Sequence, residues 1–217
     1  MMSRPKATLR VERDMLRSCD VVLCFDEVGR GAGAGPVGVG MVALDKNIVR
    51  VPRGLADSKL LSVGQRRQAA EEVYRWAVTW SVGYASAKEI DTYGIMRALR
   101  LAGERAIEGV AFEQAGILID GPYDWMSRPE RVAGAPTVLE PILTRTVVKA
   151  DQLCGGVAGA SVVAKVARDT IMDKLSLEYP EYGWNSNKGY LSKGHRDAIA
   201  AHGYSPEHRR SWKLLKP

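Results

Sequence analysis

The chain has 217 residues, of which 46% are hydrophobic and 26% charged, and its net charge of +6 gives an isoelectric point of about 9.3. This composition supports one full-sized hydrophobic core, excludes a largely disordered chain and weakly favours a polyanionic partner. The cysteines Cys19, Cys24 and Cys154 lack paired or CxxC spacing, so the sequence predicts neither a disulfide framework nor structural zinc. Without an apolar leader or a run of about 18 apolar residues, it predicts a soluble, cytoplasmic protein.

Two apolar runs predict the first strands. VVLCF (21–25) is typical of a short buried strand, and VGVGMVAL (37–44) is too rich in glycine for a stable helix. The turn-rich segment GRGAGAGP (29–36) separates them, so the two strands can pair as antiparallel neighbours. Residues 1–18, which precede them, are predicted to form a loose or partly helical arm.

The middle of the chain predicts two helices and a third strand. Ser62 and Gln65 match a capping box at the start of a helix that runs through Ala77. VTWSVGYAS (78–86) predicts the strand. Apolar residues at helical spacing predict the second helix, namely Ile95, Leu99, Ala102, Ala106 and Val110.

The second half of the chain continues this alternation. GILID (116–120) predicts a short strand that ends on an acid, and LTRTVVK (143–149) predicts a fifth strand. Residues 121–141, between them, carry four prolines and predict a loop. A long helix is expected from about Val157 to Leu177.

The tail is predicted to hold two short helices. Gly203 is placed to cap the first, and Ser205-Pro206 suits the N-cap and first turn of the second. The order of elements predicts an α/β fold with a mixed sheet and helices on its faces. Such sheets usually carry their sites at the ends of strands.

Acids lie at the ends of three predicted strands. Asp26 and Glu27 follow the first strand, Asp120 ends GILID, and Asp151 lies just past the fifth strand. Neighbours on a strand point to opposite faces, so Asp26 and Glu27 share a site only if the strand ends there and the chain turns. Two solvated acids in a surface turn are an equally good interpretation of this pair alone.

The set of acids favours a convergent carboxylate cluster. Mutual repulsion would raise the pKa values of such carboxylates unless a cation lay among them. Ligands that are all oxygen suit Mg²⁺ or Mn²⁺ rather than Zn²⁺. Two such ions about 4 Å apart activate a water and stabilise the leaving oxygen of a phosphodiester.

The glycine-rich segment has two interpretations. Gly33 to Gly38 formally matches the dinucleotide pattern GxGxxG, which we reject because a strand-like run follows where the motif must open a helix. The alternative is close approach of a ligand to the backbone, since Gly29 and Gly31 flank Arg30. A backbone that touches a sugar edge can read a 2′-hydroxyl, which distinguishes RNA from DNA.

Two further segments suggest contacts with phosphates. Ser161, Lys165 and Asp169 have the spacing i, i+4, i+8 and line one face of the long helix. The tail interleaves basic residues with Tyr190 and Trp212, as nucleic-acid surfaces do. A solvated polar stripe and a solvated basic tail are the alternatives, and each is favoured when its segment is taken alone.

Taken together, these residues resemble the ribonuclease HII family. The family's motifs occur in order over residues 21–212, which makes the combined signal far more specific than any single motif. The matching segments are Asp26 to Gly31 with Gly35-Pro36, Asp57 to Ser62, Asp120-Gly121, Lys149 to Asp151, Gly159 to Asp169, Tyr182-Gly183 with Lys188 to Tyr190, and His208 to Trp212.

The resemblance implies an RNase H-like mixed five-stranded sheet flanked by helices, with a C-terminal helical extension. It divides the chain into an N-terminal arm (1–18), an RNase H-like catalytic domain (19–180) and a C-terminal helical substrate-binding extension (181–217) that is integral to one domain. It also implies two Mg²⁺ or Mn²⁺ ions held by four carboxylates, Asp26, Glu27, Asp120 and Asp151.

The implied substrates are RNA/DNA hybrids and DNA that contains ribonucleotides, cut on the 5′ side of a ribonucleotide to leave 3′-hydroxyl and 5′-phosphate ends. Excision of misplaced ribonucleotides and a monomeric state are part of the same expectation. Gly29, Arg30, Gly31 and Tyr190 would recognise the 2′-hydroxyl, with Tyr190 stacking at the RNA–DNA junction. The residues expected to contact phosphates or support the site are Lys59, Ser161, Lys165 and Lys188.

This sequence departs from the family pattern at a few positions. Val28 replaces an alanine, Leu60 stands where a second lysine is common, and Gly159-Ala160 replaces a pair of alanines. None of these changes removes a catalytic group. A catalytically silent nucleic-acid-binding module is the alternative function, and the intact carboxylates argue against it. A resolvase or integrase of the same carboxylate type would lack the glycine-arginine-glycine turn and Tyr190.

Overall fold

A single mixed sheet of five strands organises the chain. The computed structural model describes residues 7–53, 55, 61–136 and 140–215. The strands are β1 (Val21–Val28), β2 (Val37–Asp45), β3 (Thr79–Ala85), β4 (Ala115–Asp120) and β5 (Leu143–Val147).

The sheet has the order β3-β2-β1-β4-β5. β2 pairs antiparallel with both β1 and β3, whereas β4 pairs parallel with both β1 and β5. The predicted mixed five-stranded sheet and the antiparallel pairing of the first two strands are therefore confirmed. The parallel pairs bring the carboxyl ends of β1, β4 and β5 to one edge, where the acids lie.

The described residues form eight α-helices, most of which pack on the sheet. They are α1 (Arg10–Met15), α2 (Val63–Trp76), α3 (Ala87–Tyr93), α4 (Ile95–Ala106), α5 (Ala150–Leu153), α6 (Gly155–Glu178), α7 (Trp184–Asn187) and α8 (Lys193–His202). The capping box predicted at Ser62 forms, with Ser62 and Gln65 each bonding the other's backbone. Helix α3 is an addition to the predicted elements, and Ser86 and Glu89 form the same kind of capping box at its start.

The sheet is covered on both faces. Residues along β1 alternate between two hydrophobic clusters, because successive side chains on a strand point to opposite sides. Leu23 and Phe25 pack in the cluster that contains Leu99 of α4. Cys24 packs in the other cluster, with Val162 of α6. Each fully buried aliphatic side chain of this kind contributes about 1.5–3 kcal/mol relative to an exposed one.

Helix α6 packs closely against the sheet because glycines lie at the contact between them. A Cβ on Gly40 of β2 would overlap the carbonyl oxygen of Ala160, and one on Gly156 would overlap the sulfur of Cys24. This close packing brings Ser161 of α6 within reach of Asp26 on β1.

The loop over residues 121–136 is fixed against α4. Glu104 is fully buried, and its Oε1 accepts hydrogen bonds from Arg100 Nε at 2.9 Å and Arg131 Nε at 2.8 Å. Arg100 also donates to the carbonyl of Ser127 at 2.8 Å, and Trp125 is buried in the adjacent core. The described part of this loop is therefore a packed cover over one face.

The tail corrects one prediction. Helix α8 ends at Gly203, which has a φ of 78° and caps it as predicted. The second helix, expected to begin at Ser205-Pro206, does not form, and residues 206–207 make a turn. The Ser205 hydroxyl accepts from the amide of Glu207 at 3.2 Å, and the Glu207 carbonyl accepts from the amide of Gly35 at 2.9 Å. Pairing with this distant loop replaces the helical hydrogen bonds.

Among the described residues, no helix has the length and apolar character that a bilayer crossing requires.

Candidate active site

Asp26 and Glu27 lie within β1, not after it. The pairing of β1 with β2 continues to Val28, whereas its pairing with β4 ends at Phe25. The prediction that the strand ends at Phe25 is therefore wrong. The two acids point to opposite faces of the sheet, at the point where β1 and β4 separate. Asp26 is 7% exposed, and the Glu27 side chain is 17% exposed.

Asp120 lies beside Asp26. The parallel register places Leu118 opposite Cys24 and Ile119 opposite Phe25. The next residues, Asp26 and Asp120, consequently point to the same face, which is the face that α6 covers.

Asp120 also holds the start of α5. Its Oδ1 accepts hydrogen bonds from the amides of Ala150 at 2.6 Å and Asp151 at 3.4 Å, as an N-cap side chain does. Lys149, just before, turns the chain with a φ of 60°. This arrangement places Asp151, which is 5% exposed, on a short helix next to Asp120.

The four acids repel one another. Burial raises the pKa of Asp26 well above its usual range, Glu27 raises it further, and the charges of Asp120 and Asp151 add to the effect. A hydrogen bond from Ser161 opposes this rise. The pKa of Glu27 is also raised, first by burial and then by Asp120, although Arg30 partly offsets it.

The donor set fits a hard divalent cation. All four groups offer carboxylate oxygens, and Oε2 of Glu27 is buried without a hydrogen-bond partner in the described structure. The nearby thiol of Cys154 stays protonated, because burial raises its pKa to about 12, and a protonated thiol is a poor ligand.

Two of the carboxylates already have hydrogen-bond partners within the chain. Among the described residues, no group of three or more His, Cys, Asp or Glu side chains is close enough to hold a metal ion. One oxygen of Glu27 accepts from Arg30 at 3.3 Å, and one oxygen of Asp120 accepts from backbone amides. A cation therefore has to compete with these partners for the same carboxylates.

The glycine turn after β1 rests on a buried arginine. Gly29 has a φ of 74°, and a Cβ there would overlap the guanidinium of Arg168. A Cβ on Gly31 would meet nothing within 4 Å, so that side of the turn is open. Arg168 donates to the carbonyls of Pro36 at 2.8 Å, Ala34 at 3.1 Å and Lys188 at 2.9 Å.

A second buried arginine, from the tail, holds the same turn. Arg209 donates to the carbonyls of Gly29 at 2.7 Å, Arg30 at 2.8 Å and Gly35 at 3.1 Å. Both Arg168 and Arg209 are fully buried, and within the described part of the chain neither forms an ion pair. Burial lowers the pKa of each guanidinium, so the protein retains them at an electrostatic cost.

The sequence indicates no role for Arg168 and places Arg209 only among the basic residues of a possible nucleic-acid surface on the tail, whereas the structure buries both. Both fall inside the matched motifs, at Gly159 to Asp169 and at His208 to Trp212. A motif match was therefore the only available signal, since nothing local in the sequence distinguishes a buried arginine from a solvated one.

Tyr190 lies on the segment that pairs with the glycine turn. The carbonyl of Gly189 accepts from the amides of Gly33 at 2.9 Å and Ala34 at 3.2 Å. The Tyr190 ring is 44% exposed, and the guanidinium of Arg168 lies 5.9 Å from its centroid. The structure thus brings Tyr190 next to the turn, as the resemblance implies.

Two buried histidines, linked to each other, are connected to the backbone of Tyr190. His195 Nδ1 lies 3.0 Å from the carbonyl of Tyr190, and its Nε2 lies 3.1 Å from Nε2 of His208. The amide of Ser205 donates to His208 Nδ1 at 3.0 Å, so His208 carries its proton on Nε2 and donates to His195. Trp184 donates to the same His195 nitrogen at 3.0 Å. Burial lowers the pKa of His195, and it lowers that of His208 to about 4.

The remaining predicted residues lie around this centre. Ser161 is 6% exposed and hydrogen-bonds Asp26. Lys165 forms an ion pair with Asp169 on the same helix, and Lys188 forms one with Asp173. Lys59 lies outside the described residues.

Comparisons with known proteins agree with one another. A family model described as Ribonuclease HII matches residues 23–215. A ribonuclease HII from Streptomyces avermitilis is 42% identical over 96% of this chain and 84% of its own length.

Solved structures give the same fold. The ribonuclease HII of the Archaeoglobus fulgidus PCNA:RNase HII complex superposes with a TM-score of 0.67, at 25% identity, over 90% of this chain and 95% of that one. Bst-RNase HIII in complex with Mn²⁺ has a TM-score of 0.56 at 18% identity, over 86% of this chain and 64% of that one, and it shows the fold alone.

Proposed function

The chain belongs to the ribonuclease HII family and is a ribonuclease H; we propose that it cuts on the 5′ side of a ribonucleotide in RNA/DNA hybrids and in DNA duplexes that contain ribonucleotides. The products would carry 3′-hydroxyl and 5′-phosphate ends. Excision of ribonucleotides misplaced in DNA is the role that this specificity serves. All four carboxylates come from one chain, so we propose that it acts as a monomer.

The observation that carries this proposal is the coupling of four acids at one edge of the sheet. The charges of Glu27, Asp120 and Asp151 all act on the buried carboxyl of Asp26, and Oε2 of Glu27 is buried without a partner in the described structure. Folding such a set is unfavourable by itself, because burial and repulsion both oppose ionisation. A function that recruits cations accounts for its presence.

We propose that Asp26, Glu27, Asp120 and Asp151 hold two Mg²⁺ or Mn²⁺ ions. When bound, the ions supply activation of the attacking water and stabilisation of the leaving oxygen. The Bst-RNase HIII structure, which shares only the fold with this chain, is a complex with Mn²⁺. Either ion suits a site whose ligands are all oxygens.

The chain's own residues keep these carboxylates in position. Ser161 hydrogen-bonds Asp26, and the amides at the start of α5 hold Asp120. Arg30 holds one oxygen of Glu27 at 3.3 Å and leaves the other available. These fixed contacts limit how far the acids have to move to bind a cation.

We also propose that the turn Gly29-Arg30-Gly31 and the ring of Tyr190 read the ribose together. The two are joined through the hydrogen bonds from Gly33 and Ala34 to Gly189, so they are positioned as one unit. The space beside Gly31 is open, which allows a sugar to approach the backbone. A backbone group at that point can hydrogen-bond a 2′-hydroxyl that DNA lacks.

The test is cleavage of a DNA duplex that contains one ribonucleotide, in Mg²⁺ and separately in Mn²⁺. We expect one cut on the 5′ side of the ribonucleotide, with end-group analysis giving a 3′-hydroxyl and a 5′-phosphate. The all-DNA duplex of the same sequence is the control and should remain intact. Failure to cut in either metal would overturn the proposal, and a cut on the 3′ side would overturn its specificity.

A further inference from the structure

A basic groove lies between the N-terminal helix and the edge of the sheet, away from the glycine turn. It has a volume of about 990 Å³, and four arginines and one aspartate line it together with a few smaller and apolar residues. We call it the arm groove, and its charged lining residues are Arg10, Arg13, Asp14, Arg17 and Arg145.

Helix α1 presents its arginines outward because its opposite face is buried. Leu9, Met15 and Leu16 are buried in the hydrophobic cluster beneath α6. Arg10 and Arg13 have the spacing i, i+3, which places them on the other side of the helix, and the exposed Arg17 lies in the turn that follows it. The arm therefore carries a basic face on a short helix, which agrees with the partly helical alternative expected from the sequence.

The arm is tied directly to the element that carries Asp151. The amide of Thr8 donates to the carbonyl of Leu153 at 2.9 Å, and the amide of Gly155 donates to the carbonyl of Thr8 at 2.8 Å. Leu153 lines the groove and is only two residues from Asp151. Backbone hydrogen bonds thus connect the groove to the short helix that carries Asp151.

The sheet register places Arg145 close to the same site. Arg145 of β5 lies opposite Leu118 of β4, two residues before Asp120. Residues two apart on a strand point to the same face and are separated by about 7 Å along it. Arg145 therefore lies on the same face of the sheet as Asp120, where it contacts Asp14 of α1.

The groove carries more positive charge than its own acidic side chains can neutralise. Among the described residues that line it, Asp14 is the one acid, and it pairs with Arg145 at 2.7 Å and with Arg17 at 3.5 Å. Arg13 donates to the backbone carbonyl of Val49, which carries no charge. The side chain of Arg17 is 81% exposed. Such exposed contacts add little to stability, so folding alone does not account for the cluster.

We propose that the arm groove binds the sugar–phosphate backbone of the duplex that flanks the cleavage site. This inference rests on the proposed function and names a substrate surface outside the carboxylate site and the ribose-reading turn. A duplex presents one negative charge per about 1.7 Å of its axis, which complements a row of arginines leading away from the site. Backbone contacts of this kind position a duplex without reading its sequence.

The test removes two charges whose side chains hold no buried contact. Both Arg10 and Arg17 are exposed, so the double variant Arg10→Gln/Arg17→Gln should keep the wild-type fold and melting temperature. The control is Arg75→Gln/Arg128→Gln, which removes the same charge from exposed residues outside the groove. Arg75, like Arg17, pairs with an acid three positions earlier.

The first measurement is binding to a ribonucleotide-free DNA duplex over a range of salt concentrations, which needs no cleavage. Each neutralised phosphate contributes about 0.9 to the slope of log affinity against log salt, so the groove variant should lose about 1.8 from that slope. The control should keep the wild-type slope. An unchanged slope in the groove variant, or an equal loss in the control, overturns the inference.

The second measurement is cleavage of duplexes shortened on one side of the ribonucleotide at a time. On long duplexes, the groove variant should have a KM several-fold above that of the wild type, with kcat unchanged. The difference in KM between variant and wild type should vanish when the duplex is shortened on one of the two sides of the ribonucleotide. Equal defects at every length overturn the inference. Wild-type binding to polyglutamate but not to a duplex would also overturn it, because the groove would then suit an acidic protein. Absence of cleavage by the wild type overturns the proposed function and leaves the binding test standing.

Discussion

Arg209 donates a hydrogen bond of 2.7 Å to the carbonyl oxygen of Gly29, although the two residues lie 180 positions apart in the chain. The contact joins the tail to the turn that follows β1. The same guanidinium also reaches the carbonyls of Arg30 and Gly35. The geometry of the proposed ribose-reading turn therefore depends on a residue near the C-terminal end.

The first prediction concerns Arg209→Lys. Lysine keeps the charge but carries its donors on one atom, so it cannot reach three separate carbonyls in the fixed fork of an arginine. Lost hydrogen bonds to a charged group cost about 1.5–3 kcal/mol each, and we expect a loss of stability of that order. We also expect kcat/KM on a single-ribonucleotide duplex to fall more than metal affinity does, because the carboxylates are untouched.

Chemical unfolding and cleavage kinetics check this expectation. Arg210→Lys is a suitable control, since Arg210 neighbours Arg209 but is exposed. Equal behaviour of the two lysine variants would contradict a role for Arg209 in holding the turn.

The second prediction concerns Asp26→Asn. The variant removes a buried charge that three other acids repel, so it should be at least as stable as the wild type when no metal is added. Catalysis should be lost, because an amide is a much weaker ligand for Mg²⁺ than a carboxylate.

Thermal melting with and without Mg²⁺ or Mn²⁺ separates these effects. The wild type should gain melting temperature on adding metal, whereas Asp26→Asn should gain far less. The matched control Asp20→Asn, at an exposed acid on the same segment, should behave as the wild type. Near-normal turnover in Asp26→Asn would show that the metal assignment is wrong.

The sequence predicted most of the sheet because strand signals are local. The apolar runs at 21–25 and 116–120 are short and buried as expected, Asp26 follows the first run directly, and Asp120 ends the second. The extension of β1 to Val28 was missed, because it depends on β2 continuing to pair beyond Phe25.

The features that the sequence analysis missed depend on long-range contacts. Ser205-Pro206 has a genuine helix-start signal, but the pairing of Glu207 with Gly35 overrides it. Arg168 and Arg209 are ordinary basic residues until the fold surrounds them with carbonyls contributed by a distant loop. In contrast, the capping box at Ser86 that begins α3 was readable in the sequence and was overlooked.

The third prediction concerns the pH dependence of stability through Glu12. This carboxyl is fully buried; its Oε1 accepts from the amide of Gly156 at 2.8 Å, and its Oε2 has no partner in the described structure. Burial raises its pKa above the ordinary value of 4.5. The folded state therefore keeps a proton that the unfolded state releases, and stability falls as pH rises from about 4.5 through the raised pKa.

Glu12→Gln should remove this dependence. Glutamine keeps an oxygen acceptor for Gly156 and cannot ionise, so the variant should gain stability relative to the wild type as pH rises from 4.5. Denaturant unfolding at a series of pH values measures the difference. Glu72→Gln, at a glutamate whose side chain is 46% exposed, serves as the control for removing one carboxylate. A pH-independent difference between Glu12→Gln and the wild type would refute the prediction.

The fourth prediction concerns Tyr190 and its partner His195. Tyr190→Ala removes an exposed ring beside the glycine turn, and stacking on a base is worth about 1–3 kcal/mol, or roughly tenfold and more in rate. We expect a larger loss on single-ribonucleotide duplexes, where one RNA–DNA junction is read, than on long hybrids. Tyr190→Phe should retain most activity, because it keeps the ring. Tyr204→Ala is a matched control, since Tyr204 is 43% exposed against 44% for Tyr190.

Comparing the two substrates decides the role of Tyr190. His195 holds the Tyr190 backbone at 3.0 Å, so His195→Ala should reproduce part of the substrate preference of Tyr190→Ala without removing the ring. Equal losses on both substrates in Tyr190→Ala would mean that the ring contacts the duplex generally. A strong loss in Tyr204→Ala would mean that any exposed aromatic of the tail matters. Recognition of the junction is assigned to this ring only if Tyr190→Ala loses activity selectively on the single-ribonucleotide duplex. His195→Ala should then show part of the same selective loss.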